Sequence, residues 1–152
     1  GQCAEFCGDS HAFMKFRCLV LDDANWQKWV QWQKSDASST LSADEAKAGY
    51  KTFAKNKCGT CHLIRGTNAR GIVGPDLTHI GSRTSIAAGW LENTPDNLGH
   101  WIQNPGEVKP GNIMWKTGYK RLDENGDVVM NSQVEVDDSE KEILVKYLSS
   151  LK

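Results

Sequence analysis

Cys58, Cys61 and His62 stand together in "CGTCH", and Cys3, Cys7, His11 and Met14 stand together in "CAEFCGDSHAFM". The first spacing, C-x-x-C-H, is that of covalent haem attachment. Two thiols add across the porphyrin vinyl groups, and the adjacent imidazole reaches the iron. The competing chemistries are zinc binding and dithiol exchange. Zinc asks for a second ligand pair that this half of the chain lacks, and a thioredoxin-like dithiol asks for a βαβ setting where the surrounding pattern is helical. The second group mixes thiols, an imidazole and a thioether, which are soft and borderline donors that suit copper. Cys18 belongs to neither group and is expected to be a small packed thiol. Five cysteines in this arrangement do not read as a disulfide framework.

A haem held through His62 needs a group on its far face. The candidates are Met114, Met130, His79 and His100. Met114 lies in "NPGEVKPGNIMW", a loop stiffened by Pro105 and Pro110 and turned by Gly111, which suits a thioether held against a ring. Met130 follows "DVV", where a methionine reads as strand packing. His100 neighbours the core-facing Trp101 and reads as a surface helix residue. His79, in "DLTHIGSR", is the serious rival. The loop argument favours Met114. His/Met ligation fills both axial positions and raises the potential, which suits electron transfer rather than oxygen chemistry.

These side chains need elements to hold them. "FMKFRCLVL", residues 13–21, predicts a short strand. "DDANWQKWVQWQK" predicts a helix capped by Asp22 or Asp23, with Trp26, Trp29 and Val30 on one stripe. "SDASST", residues 35–40, reads as a polar linker and domain boundary. "SADE", Ser42 to Glu45, is a capping box, and Ala46, Gly49, Tyr50 and Phe53 form the inward stripe of the helix that runs to Cys58. In "TPDNLGHWI", Thr94 caps, Pro95 fits the first turn, Leu98, Trp101 and Ile102 face inward, and Pro105 ends the helix. The last helix, "SEKEILVKYLSSLK", is capped by Asp137 or Asp138 and buries Ile143, Leu144, Tyr147, Leu148 and Leu151. Gly49 would let this helix cross the first closely, pairing Phe53 with Tyr147. Asn125-Gly126 signals a hairpin turn.

The whole composition limits the function further. The chain has 152 residues and a formal net charge of −1, from 18 Lys+Arg and 19 Asp+Glu, so no basic field points to nucleic acid. Apolar runs are only a few residues long, too short for a membrane span, which needs about 20. With neither an initiator methionine nor a signal peptide, the chain is expected to be a processed piece of a longer protein.

Residues 42–152 resemble class I cytochromes c. In particular, "FAKNKCGTCHLIRGTNARGIVGPDLTHIGSR" and "TPDNLGHWIQNPGEVKPGNIM" resemble the cytochrome c domain fused to subunit II of caa-type cytochrome c oxidases. Residues 1–34 resemble the end of the copper domain of such subunits, where C-x-E-x-C-G-x-x-H-x-x-M is the ligand loop of the dicopper CuA centre. The resemblance implies an all-α class I cytochrome c fold over 42–152, a linker over 35–41, and a short remnant of a β, cupredoxin-like domain over 1–34. It implies that Cys3 and Cys7 bridge two coppers, that His11 and Met14 bind one each, and that Glu5 binds through its backbone carbonyl. A further copper histidine would come from upstream. In the haem unit it implies that the Pro75 carbonyl accepts the His62 N–H, that Leu77 packs on the haem face, and that Arg83 and Trp101 contact propionates. Trp115 stands where such proteins commonly have proline, residues 116–136 look like an insertion, and "GWLENT" is expected to bring Trp90 near the haem.

The function implied is one-electron transfer through a covalent haem c. A soluble donor, cytochrome c or another small redox protein, supplies the electron, and the dicopper centre of the intact subunit receives it. The chain itself would be a carrier rather than an enzyme. It would associate with the other subunits of a terminal oxidase and reach the membrane only through an anchor outside this sequence, on the periplasmic or extracytoplasmic face. The alternatives are a free-standing periplasmic c-type carrier and a five-coordinate haem enzyme or gas sensor. Since no expected haem contact lies before the linker, residues 1–36 are expected to be dispensable for the haem unit unless their tryptophans dock on it.

Overall fold

The computed structural model describes residues 1–116, 120–122, 128–130 and 136–152. Helices dominate: α1 (Asp23–Lys34), α2 (Ala43–Lys55), α3 (Pro95–Gln103), α4 (Pro105–Val108), α5 (Ile113–Lys116) and α6 (Asp138–Ser150). Strands β1 (Ser85–Ile86) and β2 (Leu91–Glu92) pair antiparallel, as do β3 (Lys120–Leu122) and β4 (Val128–Met130). The expected hairpin is thus present in its strands, while its Asn125-Gly126 turn lies outside the described residues.

Local chemistry sets the helix starts. Asp22 accepts from the Asn25 amide, Thr94 from Asn97 and Asp137 from Glu140. Ser42 and Glu45 form a complete capping box. Pro105 does not merely end α3: Asn104 closes that helix, and the proline opens α4, where its missing N–H is no loss.

The core lies where α6 crosses α2 and α3. Phe53, Leu98, Ile102, Leu144, Tyr147 and Leu148 are buried there. A Cβ on Gly49 would sit 2.4 Å from the Tyr147 Cβ, so only glycine permits this approach, and the Phe53 and Tyr147 rings meet at 6.4 Å. Lys55 pairs with Glu140 at 2.7 Å and Lys146 with Glu45 at 2.6 Å, tying the same two helices at their rims. Ile143, expected inward, is instead 40% exposed, because α6 turns it away from both neighbours.

The first 41 residues depart from expectation. No strand forms over 13–21: His11–Phe13 make a single 3-10 turn, and Lys15 forms an isolated bridge with Gln2. Leu19 and Val20 stay exposed, and so does Cys18, which is therefore not the packed thiol expected. The pairing stops at that single bridge, and among the described residues 17–21 belong to no strand. Within α1, Trp26 and Trp29 stack on each other at 5.1 Å and remain exposed. Trp32 does the docking, lying 4.4 Å from the His79 ring. Nor do residues 35–40 run free. Ser38 and Lys152 exchange backbone hydrogen bonds of 3.1 and 2.8 Å, Thr40 donates to Ser150, and Ala37 donates to Arg65. The segment reads as a linker because it is small and polar; it is pinned because the C-terminal strand-like end of the chain runs beside it. No helix among the described residues is long and apolar enough to cross a membrane.

Candidate metal centres

α2 delivers the chain to the 3-10 turn Cys58–Thr60 through Lys57, which takes a left-handed φ of 55°. His62 then closes back, its amide donating to the Cys58 carbonyl at 2.9 Å. Cys58 is largely buried, which pushes its thiol up to about 11. His62 Nδ1 lies 2.8 Å from the Pro75 carbonyl. A carbonyl only accepts, so Nδ1 carries the proton and the Nε2 lone pair is left for a metal. Burial lowers the His62 pKa below its ordinary value, with the Pro75 bond opposing, and so favours this neutral ring.

Two glycines make the arrangement possible. A Cβ on Gly74 would lie 2.5 Å from the His62 Cε1, and one on Gly71 would lie 2.2 Å from the Cys61 carbonyl carbon. The Gly71 amide donates to both Gly59 and His62 carbonyls. The sequence points to Pro75 but not to Gly71 or Gly74, whose need for glycine comes from backbone and ring atoms that only the fold brings close.

The other expected haem residues have the following surroundings. Leu77 donates its amide to the Leu63 carbonyl and is packed, with Trp101, against the core. Arg83 donates to the Asp76 carbonyl. Met114 sits in α5 and is 40% exposed, beside the more exposed Ile113, and Ile72 and Val73 next to Gly74 are 91% and 65% exposed. Apolar side chains this open suit a flat apolar group better than water. Cys58, Cys61 and His62 do not converge on one point: among the described residues, the one cluster of three or more His, Cys, Asp or Glu with metal-ligand spacing is Cys3, Cys7 and His11. Zinc would require convergence, whereas a porphyrin spreads its attachment points, so the residues fit haem.

His79, the rival distal ligand, is buried at 4% exposure beneath Trp32. Its Nε2 lies 3.1 Å from Arg65 Nη2. Arginine only donates, so that nitrogen is engaged as an acceptor. The same guanidinium donates to the Gln33 and Ser35 carbonyls and pairs with Asp76 at 2.5 Å. Burial pushes the Asp76 carboxyl up, but hydrogen bonds from Thr78 and the charges of Arg65 and Arg83 outweigh it and hold the pKa below the usual value. Sequence reading missed Arg65 because its partners are backbone carbonyls 30 and 32 residues away. His100 is exposed on α3. Met130 ends β4, paired with Lys120. The Trp90 ring meets Phe13 in a T-shaped contact at 4.7 Å.

At the N-terminus the expected copper donors do converge. Cys3 Sγ is 3.6 Å from Cys7 Sγ and 3.2 Å from the Glu5 carbonyl oxygen. Cys7 Sγ is 3.6 Å from His11 Nδ1 and 3.9 Å from Met14 Sδ. The Cys3 amide donates to the Met14 carbonyl and closes the loop. The hydrogen bond from Cys3 is the main cause that raises the Cys7 pKa. Two thiols, an imidazole, a thioether and a carbonyl oxygen in one loop fit copper by donor type.

Comparison with known proteins bears on the family. The family model "Cytochrome c" matches residues 46–152. Proteins named "Cytochrome c oxidase subunit 2" align over the whole chain: 34% identical in Alkalihalophilus pseudofirmus and in Bacillus subtilis, and 35% in Bacillus sp. (strain PS3). The chain spans 39% of the length of each of these relatives. A helix-rich unit built on C-x-x-C-H, matched from Ala46 to the last residue, assigns this chain to the cytochrome c family.

Proposed function

We propose that the chain carries single electrons in a cytochrome c oxidase, from a soluble donor through a covalent haem c to a dicopper centre. When bound, the two groups would supply one-electron redox chemistry. Cys58 and Cys61 would hold the haem by thioether bonds, and His62 Nε2 and Met114 would be its iron ligands. The Pro75 carbonyl orients His62, Leu77 packs on the ring, and Arg83 and Trp101 serve the propionates. Cys3, Cys7, His11, Met14 and the Glu5 carbonyl supply the copper side, and the remaining ligand comes from a part of the subunit outside this chain. Residues 42–152 form the cytochrome unit, 35–41 its connection, and 1–34 the end of a cupredoxin-like copper domain. The assembly faces the periplasm or external medium and includes the other oxidase subunits. The chain alone is a carrier, not an enzyme.

The observation that carries this reading is the neutral His62, held by the Pro75 carbonyl against Gly74 beside two free thiols. The convergence of the N-terminal donors favours an oxidase subunit over a free-standing carrier. Acid-acetone extraction of the denatured, haem-loaded protein tests the attachment: the colour is expected to stay with the polypeptide. A ferric spectrum of six-coordinate, low-spin type is expected as well, and a five-coordinate spectrum would point instead to a sensor or an oxygen-reactive haem.

A further inference from the structure

The segment that carries His11 is seated on two loops of the cytochrome unit. The Ser10 hydroxyl donates to the Pro110 carbonyl at 2.5 Å, across 100 residues of sequence. The Lys15 amide donates to the Ala88 carbonyl at 2.9 Å. The Phe13 and Trp90 rings meet in a T-shaped contact at 4.7 Å, and the Lys15 ammonium lies 4.6 Å over the same indole.

The cytochrome side is shaped to receive this segment. Ala87, Ala88 and Gly89 take left-handed φ values of 52°, 57° and 72° in succession. Residues with a Cβ resist that region, so the turn persists only where its surroundings hold it. What holds it includes the N-terminal segment: Ala88 accepts from Lys15, and Ala87 accepts from Lys109 Nζ at 3.4 Å. Lys109 is 6% exposed, a rare burial for an ammonium, and Cys7 is among its electrostatic neighbours. Glycines mark the closest approaches. A Cβ on Gly89 would lie 2.9 Å from the Lys15 carbonyl oxygen, and one on Gly111 would lie 2.5 Å from Asp9 Oδ2.

We propose that the 87–90 turn and the 109–111 loop form a fixed seat for residues 9–15, which holds the loop of His11 in register with the loop of Met114. The seat makes the connection between the two centres a docked one rather than a flexible tether. It also supplies a short bonded path: Ser10 adjoins His11, Pro110 lies four residues before Met114, and the Ser10–Pro110 hydrogen bond joins them. Ser10 and Trp90 are positioning residues, acting on metal ligands through the backbone. The inference rests on the reading that His11 and Met114 are ligands.

Hydrogen exchange on the haem-loaded chain tests the seat. The Lys15 amide is expected to exchange at least about tenfold more slowly than an open amide. Ser10→Ala and Trp90→Ala should each accelerate it while α2 and α6 keep their protection. Both positions are polar or partly exposed, and Ser10→Ala removes only one oxygen, so it serves as the check if Trp90→Ala folds poorly. Free exchange at Lys15 in the unaltered chain overturns the proposal. In the copper-loaded intact subunit, Ser10→Ala is expected to slow haem-to-copper transfer several-fold with both optical spectra unchanged. An unchanged rate alongside lost protection overturns the claim that the seat sets the register. No transfer at all in the unaltered subunit, with Lys15 still protected, would overturn the functional reading and leave the seat standing.

Discussion

His62 shows how much one contact decides. Its donated N–H aims the ring, burial favours the neutral form, and glycine at position 74 leaves the ring room. On the other side of the proposed haem, a thioether favours the ferrous state. Met114→Ala is therefore expected to lose the sulfur-to-iron charge-transfer band and to lower the reduction potential, while Met130→Ala keeps both. Optical spectroscopy with redox titration checks this, and the opposite pattern would move the ligand to β4. His79 is a different kind of buried histidine. Its Nε2 meets Arg65 and its ring meets Trp32, so its role is to join α1 to the cytochrome unit.

The crossing of α2 and α6 tests the element scale. Replacing Gly49 by alanine would gain about 1 kcal/mol of helix propensity. The new methyl, however, would meet Tyr147 at 2.4 Å, and overpacking of a rigid crossing costs about 1–3 kcal/mol or more. Gly49→Ala is thus expected to lower Tm by several degrees in a calorimetric scan. The start of α2 adds a pH-dependent term. Hydrogen bonds from Lys146 and Ser42 hold the Glu45 carboxyl down to about 2, from an ordinary 4.5. A depressed carboxylate contributes stability above the unfolded pKa and loses it as pH falls through the folded one. The Tm gap between wild type and Glu45→Gln is therefore expected to be open at neutral pH and to close between about 4.5 and about 2. A gap independent of pH would show that the capping box, not the charge, matters.

At the scale of the molecule, the N-terminal residues contact the rest of the chain through Ser10, Phe13, Lys15, Trp32, Gln33 and the 35–40 segment. Arg65 loses two carbonyl partners and His79 loses its Trp32 cover if residues 1–36 are deleted. An unsatisfied, newly hydrated cluster of this kind costs about 1–3 kcal/mol. The truncated chain is expected to keep its haem spectrum but to melt at least about 5 °C lower, the shift that such a loss produces in a domain of this size. This replaces the independence that the polar linker suggests in the sequence. An unchanged Tm would mean that the Arg65 contacts carry no net stability.

Some of this protein was legible as a string of letters because the causes are local. C-x-x-C-H, the Ser42–Glu45 box, Pro95 at a first turn and the 3.6-residue stripes act within a few residues, so they name the haem motif and the helix starts without a fold. Even the Gly49 crossing could be read, because one missing side chain beside Phe53 has few other uses. The donor loop from Cys3 to Met14 was likewise legible by type and spacing. Contacts across long stretches of chain were not. Nothing in "NWQKWVQWQK" tells Trp32 from Trp29, since the choice rests on where His79 arrives. Nothing in "FMKFRCLVL" says that its pairing will stop at a single bridge. The zipping of residues 37–40 to the C-terminus, the carbonyls that Arg65 collects and the seat under Ser10 and Lys15 depend on which backbone groups the packed helices bring face to face. Backbone partners leave no mark on residue type, so only the tertiary structure decided them.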